Sequence, residues 1–304
     1  MSAFIDALLP DLRDTDLWRR TEAHFDALHG PGFGRPGEPS DPAISPDGTV
    51  ACTVLIRTDL VTAPRLAVLV RSDDVETLVA APGHESVRLP RFSPVGGELA
   101  VLTDAGSPGR FRPALVDGSE LRLLPDIDGV AEHLVWSPDG RRLVALVADQ
   151  WADAAGAQGS GRISRGDVPD WMPVVMADTP VGGWRRLWCH TLGTDGWELV
   201  SPAAMTCWEV AWSGDDALVV VASDRPDEAA WFGARVVRID LPGGVVRELL
   251  RDPSRCVGLP AADPSGRWTA VVTATCSDRT VVAGDVSLID LADGTVRMLD
   301  LQGI

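Results

Sequence analysis

The side chains with the clearest chemical potential in this chain of 304 residues are five aspartates at equivalent places: Asp59, Asp104, Asp149, Asp224 and Asp278. Each ends an apolar, β-rich run, and the residue before it is Thr, Thr, Ala, Ser and Ser in turn. Arginine follows twice, as Arg225 and Arg279. A recurring carboxylate can do one of two things here. It can accept backbone N–H bonds within a turn, the commonest use of Asp in loops. It can also form a charged rim that screens or holds a cationic or peptidic ligand. Tryptophan is the second resource, with 11 in the chain. Trp151, Trp171 and Trp184 lie in or beside a stretch with no regular pattern, where an interface or substrate-facing role competes with packing. Trp136 and Trp212 precede a repeated turn and read as packing between neighbouring units.

Other chemistry finds no support in the sequence. The histidines (His24, His29, His84, His133, His190) have no metal-like spacing and read as structural or surface residues. There is no G-x-S-x-G nucleophile elbow and no H-E-x-x-H. Asp126-Ile127-Asp128-Gly129 is only a fragment of a calcium loop and reads as a turn. Residues 32–37 match G-x-G-x-x-G, but Pro36 and Pro39 stand where a dinucleotide site needs a helix, so a linker is expected. The chain has no Lys, which removes P-loop, Schiff-base and Ser–Lys chemistry. No cofactor is expected. The net charge of −17 opposes nucleic-acid binding and adhesion to an anionic membrane. Five cysteines without a CxxC pair suggest free thiols in a reducing compartment. With an acid at position 6 and no long apolar run, the expectation is a cytoplasmic protein.

The elements that must position these residues come from a repeat. Ser45-Pro46-Asp47-Gly48 recurs as Ser93-Pro94-Val95-Gly96 and Ser137-Pro138-Asp139-Gly140. Weaker copies start at Ser213 and Asp263, and the starts lie 48, 44, 76 and 50 residues apart. Such tetrapeptides suit a type I turn. An apolar run leaves each: Val50–Ile56, Leu99–Leu102, Leu143–Ala148, Ala217–Ala222 and Trp268–Thr273. Runs apolar on both faces belong to strands covered on both sides. A second hairpin follows, turning at Asp73-Asp74, Asp117-Gly118, Asp195-Gly196, Gly243-Gly244 and Asp293-Gly294. Each unit is therefore four antiparallel strands of blade length. The fold expected is all-β, a β-propeller of four-stranded antiparallel blades with five repeats visible. A β-sandwich does not explain one turn recurring at blade length. Residues 1–40 are assigned to an N-terminal helical segment, roughly Ala3–Leu28 interrupted near Pro10, and a linker. Residues 41–304 are assigned to the propeller, with an insertion of about 30 residues at 150–184, inferred from the widest spacing. In a meander blade the second strands all end on one face. The five aspartates and the insertion are thus expected on a single face.

The turns, together with Trp208-Glu209-Val210-Ala211-Trp212-Ser213, Ala222-Ser223-Asp224-Arg225 and Val236-Val237-Arg238-Ile239-Asp240-Leu241 before Gly-Gly, resemble the N-terminal propeller of the prolyl oligopeptidase family of serine peptidases, especially its acylaminoacyl-peptidase and dipeptidyl-peptidase-like members. TolB-like propellers share the turn. The resemblance implies a propeller that covers an α/β-hydrolase domain and admits short or unfolded peptides. The Ser-Asp-His triad of that family belongs to the hydrolase domain, so no catalytic residue is carried over. The sequence departs from the family in stopping at Ile304 and in showing five blades where seven or eight are usual. The expectation is a non-catalytic, substrate-gating propeller, truncated or encoded apart from its hydrolase domain, with that domain (in cis or in trans) and peptides as partners. The alternative is a self-standing, TolB-like binding module.

Overall fold

A computed structural model of the chain describes residues 11–150, 152, 182–276 and 284–299. Twenty strands form five four-stranded antiparallel sheets. The first holds β1 (Pro36–Ile44), β2 (Val50–Ile56), β3 (Arg65–Ser72) and β4 (Val75–Val79). The second holds β5 (Val87–Phe92), β6 (Leu99–Thr103), β7 (Arg112–Asp117) and β8 (Glu120–Leu123). The third holds β9 (Val130–Trp136), β10 (Arg142–Ala148), β11 (Arg185–Thr191) and the short β12 (Glu198–Leu199). The fourth holds β13 (Thr206–Trp212), β14 (Ala217–Ser223), β15 (Arg235–Asp240) and β16 (Val245–Leu250). The fifth holds β17 (Cys256–Ala262), β18 (Trp268–Ala274), β19 (Asp285–Asp290) and β20 (Val296–Leu299). Strand order in each sheet follows chain order. These are the blades of a β-propeller, as the repeat implied.

The local cause is the repeated turn. Gly48, Gly96, Gly140 and Gly266 each donate N–H to the carbonyl of the first turn residue, at 2.8–3.0 Å. All four sit at positive φ, as does Gly214 in the weaker copy. That is the left-handed region which lets the first and second strands resume pairing at once. The second hairpins work alike, with Asp73, Gly118, Gly243, Gly244 and Gly294 at positive φ.

The sheets stack because their middle strands are apolar on both faces. Every residue of β6 and of β14 is buried. Leu218, Val220 and Ala222 pack towards the third sheet, with Val144, Leu146 and Leu187. Val219 and Val221 pack towards the fifth, with Val257, Val271 and Ile289. Trp136 and Trp212 bridge sheets, as their position before the turn implied. Their indole N–H groups donate to the carbonyls of Arg91 (2.8 Å) and Val135 (3.2 Å) on the preceding first strand.

Contacts between consecutive sheets run through the first strand of the later one. β5 lies against β1, β2 and β3; β9 against β5, β6 and β7; β13 against β9, β10 and β11; β17 against β13 and β14. The described strands of the fifth sheet make no comparably extensive contact with β1. The five first strands are thus the convergent, axial ones.

The amino-terminal region differs from expectation. Helix α1 spans Asp16–His29, with Thr15 Oγ accepting the Trp18 N–H as its N-cap. A 3-10 turn, Leu12–Asp14, precedes it, and residues 3–10 of the expected helix lie outside the described residues. Residues 36–40 are not linker but the start of β1, paired Gly37 to Leu55 and Ser40 to Thr53. Prolines 36, 39 and 42 hid this strand, because they remove N–H groups from the ladder. The strand accommodates them through two register shifts, with Glu38 and Asp41 at positive φ. The glycine-rich motif runs from a 3-10 turn (Gly30–Gly32) into this strand and no helix follows it, so it lacks dinucleotide geometry.

Gly129, just before β9, has φ +113°, and a Cβ there would collide with the backbone carbonyl of Ala148. Gly129→Ala is expected to destabilise the protein by about 2–4 kcal/mol through strain and displaced sheet contacts. A fall in the urea midpoint measures it; an unchanged midpoint would show that β9 tolerates the shift.

Candidate functional site

The aspartates singled out in the sequence follow the ends of second strands, and the four described ones are each engaged within their own blade. Asp59 accepts N–H bonds from Val61 (2.7 Å) and Thr62, and the Thr62 hydroxyl (2.8 Å). The Thr62 amide is the main cause holding its carboxyl below the usual range. Asp104 is buried and accepts from the amides of Ser86 (2.6 Å) and Gly109 (2.8 Å). Asp149 accepts from the Trp184 amide (3.1 Å) and pairs with Arg186 (2.7 Å). Asp224 takes two bonds from Arg235 (2.6 and 2.9 Å), which lower its pKa. Arg225 pairs with Asp227 at 2.8 Å. Among the described residues, none of these hydrogen bonds joins one of the aspartates to another. Trp151, Trp171, Asp278 and Arg279 lie outside the described residues.

The denser concentration of ionisable groups is on the axial strands. Four residues ahead of each turn start stand Asp41, Leu89, His133, Glu209 and Leu259. One place earlier stand Ser40, Arg88, Glu132, Trp208 and Gly258. Aligning the chain on its turns would have shown that these columns mix charged and apolar residues.

Backbone geometry explains why these columns matter. Every axial strand shifts register here, between Ser40 and Ala43, Arg88 and Arg91, Cys207 and Glu209, and Gly258 and Ala261, and opposite Leu146 and Val147 in the third sheet. Asp41, Leu89 and Leu259 take positive φ, a costly conformation for residues with a Cβ. Such a bulge releases an N–H from the ladder. The Leu89 amide is met by the Thr53 hydroxyl of the preceding sheet (2.9 Å), which itself donates to Asp41 (3.0 Å). The Leu259 amide is met by Glu209 of the preceding sheet (2.5 Å). Leu89 is buried in the core between the second and third sheets, whereas Leu259, at the equivalent place in the fifth, is exposed.

The third sheet uses an ion pair. Arg185 on β11 forks onto Glu132 at 2.8 and 3.2 Å, with side-chain exposures of 0 % and 3 %. The Arg185 guanidinium also lies 5.2 Å from the Trp208 ring centre, and the Trp208 indole donates to Ser223 (2.7 Å). In the second sheet Arg88 stacks on Phe111 at 4.0 Å.

Burial sets the protonation of this region. It pushes Glu209 up to about 7, against the opposing bond from the Leu259 amide. It pushes His133 down to about 4, and the charge of Arg91 adds to this, so the imidazole is neutral at pH 7. Burial likewise lowers Arg88 and Arg91. The thiols of Cys189 and Cys207 are pushed up to about 11 and about 12 by burial, so they are not thiolate nucleophiles at neutral pH. The axial face therefore offers guanidinium donors, a neutral imidazole and a carboxyl that titrates near neutrality. That set suits recognition of a polar ligand.

No protein-family profile matches the chain, and no curated protein matches it. Solved structures do match. The acylaminoacyl peptidase of Pyrococcus horikoshii aligns with a TM-score of 0.57 at 16% identity, over 86% of this chain and 39% of that one. The β-propeller domain of the Trilobed protease from Pyrococcus furiosus aligns with a TM-score of 0.56 at 12% identity, over 87% and 72%. A putative TolB from Agrobacterium tumefaciens aligns with a TM-score of 0.53 at 14% identity, over 86% and 80%. The likeness is one of fold, to propeller domains of peptidases and of TolB. The chain spans about two fifths of the length of the acylaminoacyl peptidase.

Two outcomes follow from the buried groups. Removing one partner of the Arg185–Glu132 pair, as in Glu132→Gln, leaves a buried charge uncompensated and is expected to cost about 3–5 kcal/mol in chemical denaturation. A loss below about 1 kcal/mol would mean that the pair is dispensable. Glu209 has a folded-state pKa above its value of 4.5 in the unfolded chain. Its contribution is therefore complete below about pH 4.5 and is lost as pH rises towards 7. Glu209→Gln should be the more stable form above pH 7, by about 1–3 kcal/mol, and should have lost that part of the pH slope. Parallel stability–pH curves for the two proteins would contradict this.

Proposed function

We propose that this chain is the substrate-gating propeller of a serine peptidase of the prolyl oligopeptidase kind. It works with an α/β-hydrolase domain, in the same polypeptide or a separate one, and admits peptides to it. The face bearing Asp59, Asp104, Asp149 and Asp224, and with them Trp151, Trp171, Arg225, Asp278 and Arg279, is turned towards that domain in this reading. The residues from Pro36 onward are the propeller domain.

The observation that carries the reading is helix α1. Its 14 residues include none that is buried. Leu17, Trp18, Phe25 and Leu28 fall along one side, with Leu17 71 % and Leu28 61 % exposed. Among the described residues, its extensive contacts are with the 3-10 turns that flank it. A solitary helix of this length is marginal in water and draws its stability from packing an apolar face. The five sheets close their own cores without it. The stripe offers a docking surface for a second folded body, which in this reading is the hydrolase domain.

The test has two arms. A serine-hydrolase phosphonate probe should leave the purified chain unlabelled; stoichiometric labelling would overturn the non-catalytic assignment. The DNA adjoining the gene should encode a frame with G-x-S-x-G, Asp and His in that order. Its product, co-purified with the chain, should be lost from Leu17→Asp/Phe25→Asp while the circular dichroism of the sheets persists. Unrelated neighbouring frames and a monodisperse chain indifferent to the double substitution would favour the TolB-like module instead.

A further inference from the structure

We infer that the axial face holds a carboxylate-binding site formed by Arg88 and Arg91. The inference deepens the peptide-gating reading by naming the group recognised, and it rests on that reading only for the identity of the ligand as a peptide.

The bulge in β5 puts the two arginines on one face of its sheet. They pair with Leu102 and Ala100, two places apart on β6, so they share one face of the sheet although they stand three places apart in the chain. Both are half-buried. The Arg88 guanidinium lies over the Phe111 ring, 4.0 Å from its centre, a contact that does not use its N–H donors. Its buried Nε has no hydrogen-bond partner among the described residues. Among the described residues, Arg91 donates only to the carbonyl of its own neighbour Pro90, at 2.8 Å. No carboxylate of the described residues is in a salt bridge with either side chain.

The surrounding acids have other duties. Glu132 is forked by Arg185. Asp41 accepts from Thr53, and Glu209 from the Leu259 amide. The charge of Glu132 acts most on Arg88, followed by Asp41 and Asp104, and that of Asp41 acts on Arg91, but among the described residues none of these acids forms a salt bridge with either guanidinium. An unpaired, half-buried guanidinium is costly unless something completes it. In a chain of net charge −17, unspent acids are plentiful, so two arginines left without a carboxylate stand out. Arginine recognises carboxylates by two parallel N–H···O bonds, and a peptide offers a carboxylate at its C-terminus or on an acidic side chain.

Calorimetric titration of the whole chain with three peptides separates these sources: acetyl-Ala-Ala-Phe with a free carboxylate, its C-terminal amide, and acetyl-Ala-Glu-Ala amide. The free acid is expected to bind at least about tenfold more tightly than its amide. Arg91→Gln should bring the two to near-equal affinity without lowering the thermal midpoint. Arg88→Gln should act alike, and if it fails to fold, Arg91→Gln carries the test alone. Strong binding of the glutamate peptide locates the recognised carboxylate on a side chain and still supports the site. Equal binding of acid and amide with no uptake of the glutamate peptide overturns it. Absence of saturable binding by all three does so too, as does unchanged selectivity in the arginine variants. No hydrolase is present in the titration, so its failure and the failure of the gating reading are separately visible.

Discussion

The structure depends on sheets that are apolar on both faces. A strand such as β14, buried along its whole length, cannot lie at a surface. Its sheet needs a neighbour on each side, and the third and fifth sheets supply them. Stacking twisted four-stranded sheets in sequence brings their first strands together, as the contacts between β1, β5, β9, β13 and β17 record. Everything distinctive about the candidate site follows from that convergence.

Crowded axial strands cannot all keep a regular ladder. Each shifts register near the same place, and the N–H groups freed at Leu89 and Leu259 are satisfied by Thr53 and Glu209 from the sheet before. Polar side chains are therefore drawn inwards for a structural reason. Once there, burial changes their chemistry: His133 loses its charge at neutral pH and Glu209 titrates near 7. Arg185 and Glu132 stay charged together because each completes the other. Arg88 and Arg91 have no such completion, and this asymmetry turns a packing solution into a candidate for recognition. Helix α1 states the complementary requirement at the periphery, where the described residues leave an apolar stripe uncovered.

Much of the fold could be read from residues close together in the chain. Ser-Pro-Asp-Gly announces a turn by its own conformational preferences, and its recurrence implied five blades before any packing was considered. The indole bridges of Trp136 and Trp212 were foreseen from their place before the turn. The strand at Pro36–Ile44 escaped notice, because three prolines and two positive-φ residues disguise a bulged strand as a linker. The aspartates after the second strands were visible as a repeat, and the four described ones each have partners within their own blade.

The sequence by itself determined the turns, the strands between them and the number of blades, because these rest on φ preferences and apolar runs within a few residues. Only the tertiary structure decided which side chains meet. Arg88, His133 and Glu209 are separated by whole blades in the chain and carry no shared motif. They become neighbours of one axis because buried sheets must stack and bulged first strands must converge. Whether an arginine is paired or left open depends on carboxylates supplied from other blades, which no local pattern records.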